Sequence, residues 1–156
     1  MSRTDDNKET FRRFVDEVFN RGNIEAVDEM VSPDYVDHEL FADDIPQNRE
    51  GLKKGVLMCR DCLTELSVSI HDVAAEGDKI IARTTWYGVP GAAYGDGFDA
   101  GDPDEAAREP LAGKPIEFDT LEITRYEDGM VVEHWGLTDD GPGWPTAYYL
   151  PRRAGS

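Results

Sequence analysis

Residues 8–21, "KETFRRFVDEVFNR", place Phe11, Phe14, Val15 and Phe19 at the three- and four-residue spacing of one helical face, and "RGN" then breaks the pattern. The spacing predicts an amphipathic helix with that face buried. Ile24, Val27, Met30 and Val31 repeat the spacing in "IEAVDEMV", which predicts a second, short helix closed by the proline of "SPDY". "YVDHEL" then reads as a brief extended stretch or loop. A third helix is predicted over about 49–62, with Leu52, Val56, Leu57 and Cys59 inward and the lysines outward.

After this helix the period falls to two. "ELSVSIHDVAA" sets Leu66, Val68 and Ile70 on one face, and "EGD" turns it into "KIIARTTWYG", which predicts an antiparallel hairpin. "KPIEFDTLEITRYEDGMVVEHWGL" is a second hairpin, reversed at "EDG", where Asp-Gly supplies the positive φ angles of a tight turn. Residues 89–113, between the hairpins, are rich in Gly, Asp, Ala and Pro and read as a loop insertion, either a lid or a solvated decoration. The tail, 141–156, carries Trp144, Tyr148, Tyr149 and Leu150 among prolines and is expected to dock on the body or on a second subunit. Residues 1–156 are read as a single domain. Its expected class is α+β, with three N-terminal helices packed in a curved, mainly antiparallel sheet that leaves a cone-shaped internal cavity.

Alternation also selects candidate chemistry. Phe118, Thr120, Glu122 and Thr124 share one face of the third strand and Val132, His134 and Gly136 one face of the fourth, so Glu122 and His134 can both look into the cavity. His38, between helix and sheet, is a third candidate. Glu122 or His38 is expected to act as base, and His134 to donate a hydrogen bond to an oxyanion. Simpler roles are open to each: Glu122 as the ion-pair partner of Arg83 or Arg125, His134 as a prop for Trp135. Asp139 and Asp140 read as solvated, unless the strand end curls inward, and His71 as a surface residue. Arg83 with Asp119 or Asp37 offers the weakly specified set of an epoxide-type hydrolase.

The formal net charge of -17, from 33 acidic and 16 basic residues, argues against nucleic acid or an anionic membrane surface as partner, since both would be repelled. The acids divide into 19 Asp and 14 Glu and the bases into 5 Lys and 11 Arg, an Asp-rich and Lys-poor balance suited to concentrated salt. No apolar run approaches a membrane span, and the polar N-terminus has no signal-peptide core, so a cytoplasmic, halophilic protein is expected. Cys59 and Cys62 form C-x-x-C without a second ligand pair and read as reduced helix residues.

"FVDEVFNRGNIEAVDEMVSPDYVDHEL", "GLKKGV", "VAAEGDKIIARTTWYG" and "LAGKPIEFDTLEITRYEDGMVVEHWGL" resemble, in order and spacing, the SnoaL-like polyketide cyclase family of the nuclear transport factor 2-like superfamily. The resemblance covers about residues 8–138 and implies a cavity for a small apolar or carbonyl-bearing ligand, with neither metal nor other cofactor. It places the family's acid/base aspartate at Gly136, its helper histidine and glutamine at Glu122 and Thr120, and its asparagine at Asp37. Trp86, Phe118 and Trp135 are expected along the cavity wall. The family also implies a homodimer paired through the outer sheet face. With Gly136 in place of the aspartate, two functions compete: a cofactor-free cyclase, isomerase or lyase whose chemistry has moved, and a ligand-binding module without chemistry.

Overall fold

The computed structural model describes residues 3–39, 44–91 and 113–138; most of the insertion, Asp139, Asp140 and the tail lie outside them. Helix α1 (Arg3–Phe14) runs on into a π-helical turn over Val15–Asn20, and Phe11, Val15, Val18 and Phe19 are buried. The wider turn brings Phe14 and Phe19, five residues apart, onto one face, where their rings meet edge to face at 5.7 Å. At its end the Asn20 side chain donates to Val68 O at 3.1 Å and accepts from Val68 N at 2.7 Å. This amide satisfies both backbone groups of a residue on a strand with one open edge, and so ties the helix to the sheet.

Helix α2 is shorter than its apolar spacing suggests, spanning Ala26–Met30, because Val31 already begins strand β1 (Val31–Asp37). The strand runs through Pro33, which the sequence presents as a helix stop. A proline is accommodated because β1 is an edge strand that pairs at Val31↔Val131 and next at Val36↔Glu133, with Pro33 inside the irregular stretch between. Helix α3 spans Arg49–Cys62, N-capped by Asn48, whose side chain accepts from Gly51 N at 3.0 Å. Leu52, Val56 and Cys59 are buried as expected, but Leu57 is 49% exposed. Its position, about 100° round the helix from Val56, carries it off the apolar stripe.

Strands β2 (Leu63–Glu76), β3 (Lys79–Pro90), β4 (Ile116–Glu127) and β5 (Met130–Thr138) complete a five-stranded sheet of order β1-β5-β4-β3-β2. All neighbours are antiparallel except β1 and β5. Register shifts at Thr64/Ser67, where Glu65 takes φ 56°, and at Ile70/Asp72 bend β2, so the sheet curves around the helices without closing. Asp128 and Gly129, with φ of 49° and 81°, form the tight reversal between β4 and β5. Both ends of the insertion are held together by the Gly113 N–H, which donates to Pro90 O at 2.8 Å.

One detail of β5 departs from simple alternation. Arg125 pairs with Glu133 but Tyr126 pairs with Val131, so an extra residue bulges from β5 and Val131, rather than Val132, joins His134 on the inner face. The core between sheet and helices includes Val68, Ile80, Ala82, Tyr126 and Val131 packed with Phe11, Val18, Val27 and Val56. Cys59 and Cys62 are buried within it, and burial pushes the Cys59 thiol up to about 12. A thiol held protonated in this way is a packing group.

Candidate functional site

Strand β1 alternates with period two: Tyr35 and Asp37 are buried, Val36 and His38 are exposed, and Glu39 returns to the inner side. Parallel pairing sets Asp37 beside His134, and antiparallel pairing sets Glu122 opposite Gly136. Three strands therefore converge on one patch of the inner face. Glu122 Oε2 stands 2.5 Å from His134 Nε2, and Asp37 Oδ1 stands 2.9 Å from His134 Nδ1. Tyr35 Oη donates to Asp37 Oδ2 at 2.8 Å, and Thr120 Oγ1 donates to Glu122 Oε1 at 2.5 Å and lies 2.7 Å from Thr84 Oγ1. The chain of contacts runs unbroken from Tyr35 on β1 to Thr84 on β3.

The cluster forms the polar wall of a pocket that is partly open to solvent. The opposite wall is aromatic, with Phe11, Phe14, Phe19 and Trp86. The division into one polar and one apolar wall suits a compound with few oxygen atoms. Trp86 packs against Phe19 at 4.8 Å between ring centres, and its Nε1–H is buried with no partner among the described residues. A buried donor of this kind is costly unless something bound in the pocket accepts from it.

The electrostatics follow from this packing. Burial alone would lower the pKa of His134, but the hydrogen bonds its ring donates to the carboxylates of Asp37 and Glu122, with their charges, outweigh it and hold the imidazole well above its usual range. His134 is thus an imidazolium fixed between two carboxylates. Glu39 moves the other way for an acid: burial and the negative charges of Glu122 and Asp37 raise it to about 7, against the opposing pull of His134 and the Thr138 hydroxyl. Glu39, Glu122 and His134 carry donor atoms within 4.8 Å of one another. The 2.5 Å between Glu122 Oε2 and His134 Nε2 is a hydrogen-bond distance, whereas two ligands on one metal at about 2.1 Å each sit about 3 Å or more apart. The donor set as arranged is an ion-paired cluster and does not fit a metal.

A family model of SnoaL-like polyketide cyclases matches residues 9–142 of the chain. The protein belongs to that family. It is similar to TsrD from Streptomyces laurentii, with 20% identity over 89% of this chain and 91% of that one and a TM-score of 0.68. It is similar to IdmH from Streptomyces antibioticus, a candidate polyketide cyclase, with 25% identity over 85% and 91% and a TM-score of 0.66. AclR from Streptomyces galilaeus, a candidate hydroxylase, gives 22% identity over 89% and 92% and a TM-score of 0.67. No curated protein matches the sequence.

In this SnoaL-like protein the sequence candidates separate into two groups. Glu122, His134, Asp37, Thr120 and Trp86 line the pocket, while Phe118 stacks behind Trp86 at 5.9 Å. His38 and Trp135 are on the outer side, stacked on each other at 4.7 Å, with His38 paired to Glu133 and Lys79 over the Trp135 ring. Their odd register relative to Asp37 and His134 sends them there. Arg125 is committed to Glu127 and Glu133, and Arg83 to Asp72 and Asp119, so neither pairs with Glu122 and no Asp37–Arg83 set of a hydrolase is assembled. His71 is exposed against Thr85. Both ring nitrogens of His134 are spent on carboxylates, leaving none to donate to a bound oxyanion.

The residue that sequence reasoning missed is Glu39. A Cβ placed on Gly136 would lie 2.7 Å from Glu39 Cδ and closer still to Oε2. The space at the position assigned to the family's aspartate is taken by a carboxylate reaching over from the segment that follows β1. Period two extended from Tyr35 and Asp37 points to residue 39, but only the strand pairing shows that it meets Gly136.

Proposed function

We propose that this protein is a cofactor-free enzyme of the cyclase, isomerase or lyase type, moving a proton at a carbon next to the carbonyl of a small, largely apolar compound. The observation that carries the reading is the Asp37–His134–Glu122 chain, partly buried and opening on an aromatic pocket. In this arrangement the carboxylates exchange the proton, and the imidazolium between them balances their charge beside the aromatic wall. The competing reading, a binding module, draws on Gly136, which has no side chain to act.

A thermal-shift screen of polyketide-like and terpenoid ketones identifies binders, and incubation of each in heavy water separates the two readings. Deuterium gained at the carbon next to the carbonyl is the expected result. Binding without exchange across every stabilising ketone would leave the module reading in place.

The partners follow from surface chemistry. No helix among the described residues is long and apolar enough to cross a membrane. On the outer sheet face Ile81, Ile123 and Trp135 form one cross-strand row, with Leu121 (52% exposed) and Leu137 (73% exposed) in the next. Apolar rows this open favour a second copy of the chain, and the proposed state is a homodimer in a salt-rich cytoplasm. Light scattering in molar KCl is expected to show a dimer, and Leu121→Lys with Ile123→Lys a monomer. The melting temperature is expected to rise from low to molar KCl as the charge of -17 is screened. A monomeric wild type, or melting indifferent to salt, would remove the respective claim.

A further inference from the structure

We infer that Glu39 is the group that exchanges the proton with the bound compound, and that residue 136 is glycine because this carboxyl needs its space. The inference rests on the proton-transfer reading above and names the residue within the cluster that performs it. Asp37, Glu122 and His134 at the polar wall are tied. Asp37 accepts from the Tyr35 hydroxyl, the Glu39 backbone N–H and His134; Glu122 accepts from the Thr120 hydroxyl and His134; His134 uses both nitrogens. Among the described residues the Glu39 carboxylate meets a single hydrogen-bond donor, the Thr138 hydroxyl at 3.5 Å, which is at the edge of bonding distance. It is the acid with lone pairs to spare, and it lines the pocket.

The charged and titratable groups acting on Glu39 are Asp37 from its own segment, Glu122 from β4 and His134 from β5, and the Tyr35 phenol of β1 and the Cys59 thiol of α3 also feel its charge. With its pKa near 7, Glu39 is available both as base and as acid at neutral pH, which a freely solvated carboxylate is not. The same surroundings limit the substrate. When Glu39 is ionised the wall holds three carboxylates against one imidazolium, so an anionic ligand is repelled and a neutral carbonyl compound is admitted. In the step, Glu39 takes the proton, the C–H bonding pair forms the enolate C=C as the carbonyl π pair moves to oxygen, and the enolate carbon either attacks a second carbonyl carbon of the same compound, whose C=O π pair becomes an alkoxide, or awaits a proton at a new position. Glu39 then returns its proton to the alkoxide or carbon so formed, and no proton is gained or lost overall.

Nitrobenzisoxazole is a suitable probe, being neutral, apolar and aromatic. A carboxylate removes its ring C–H proton, the C–H pair forms the nitrile as the N–O bond breaks, and a coloured phenolate leaves. The expected rate rises with pH through about 7, and Glu39→Gln lowers it about a hundredfold or more. Gly136→Ala should lower it similarly, because the new methyl group turns the flexible Glu39 side chain away while the fold persists. Carbon-13 labelling of glutamate carboxyls reports the same group without turnover: one resonance titrating near 7, absent from Glu39→Gln and returned to the ordinary carboxylate range in Gly136→Ala. Undiminished elimination by Glu39→Gln, or a Glu39 resonance titrating near 4.5 in the wild type, overturns the inference. Ketone exchange retained in Glu39→Gln would defeat this assignment and spare the proposed function; elimination through Glu39 with no exchange into any ketone would do the reverse.

Discussion

His134→Ala is expected to cost about 3–5 kcal/mol of stability at neutral pH, because it leaves Asp37 and Glu122 as like charges at a largely enclosed wall with no cation between them. The sign with pH follows from the raised pKa. Below the unfolded value, near 6.5, the folded and unfolded chains both hold the proton and the imidazolium contributes in full; as pH rises through the folded value, well above 6.5, that contribution is lost. Urea titrations of wild type and variant should therefore differ most near pH 6 and converge toward alkaline pH. Exchange or turnover should fall by about two to four orders of magnitude, since the carboxylates lose the charge that orients them. A variant as stable as the wild type at pH 6 would show that the three groups are not ion-paired in solution.

Glu39→Gln is expected to act in the opposite sense on stability while it removes activity. The folded protein retains a proton on Glu39 up to about pH 7, whereas the unfolded chain releases it near 4.5. Wild-type stability therefore declines as pH rises through that window and is flat, on this account, above it. Holding the charged carboxylate at pH 8 costs up to about 3 kcal/mol, which the neutral glutamine avoids. The variant should melt at nearly the wild-type temperature at pH 4.5 and several degrees higher at pH 8. An equal difference at both pH values would place the effect in packing and not in ionisation. Two windows thus separate the two groups: Glu39 acts between 4.5 and 7, His134 above 6.5.

Much of the architecture is legible in the pattern of apolar positions. Phe11, Val15 and Phe19 mark a helix face, Leu52, Val56 and Cys59 another, and the alternation through Phe118, Thr120, Glu122 and Thr124 marks an inner sheet face, because periods of 3.6 and 2 are set by local backbone geometry. Where a neighbour's demands override local pattern, the reading slips. Pro33 reads as a helix stop yet lies in an edge strand, and Val132 yields the inner face to Val131 because β5 bulges against β4. Both depend on pairings between segments distant in sequence.

The site divides along the same line. The amino-acid sequence by itself determined which side chains go together along each strand, Glu122 with Thr120 on β4 and His134 with Gly136 on β5, since side chains two residues apart on one strand point the same way. It also determined that the chain carries a charge of -17 and that residue 136 brings no side chain of its own. Only the tertiary structure decided that His38 and Trp135 stack on the outside, that Asp37 closes on His134, and that Glu39 fills the space at Gly136. Those contacts join residues nearly a hundred positions apart, across the parallel pairing of β1 with β5, and no local period encodes the register of such a pair.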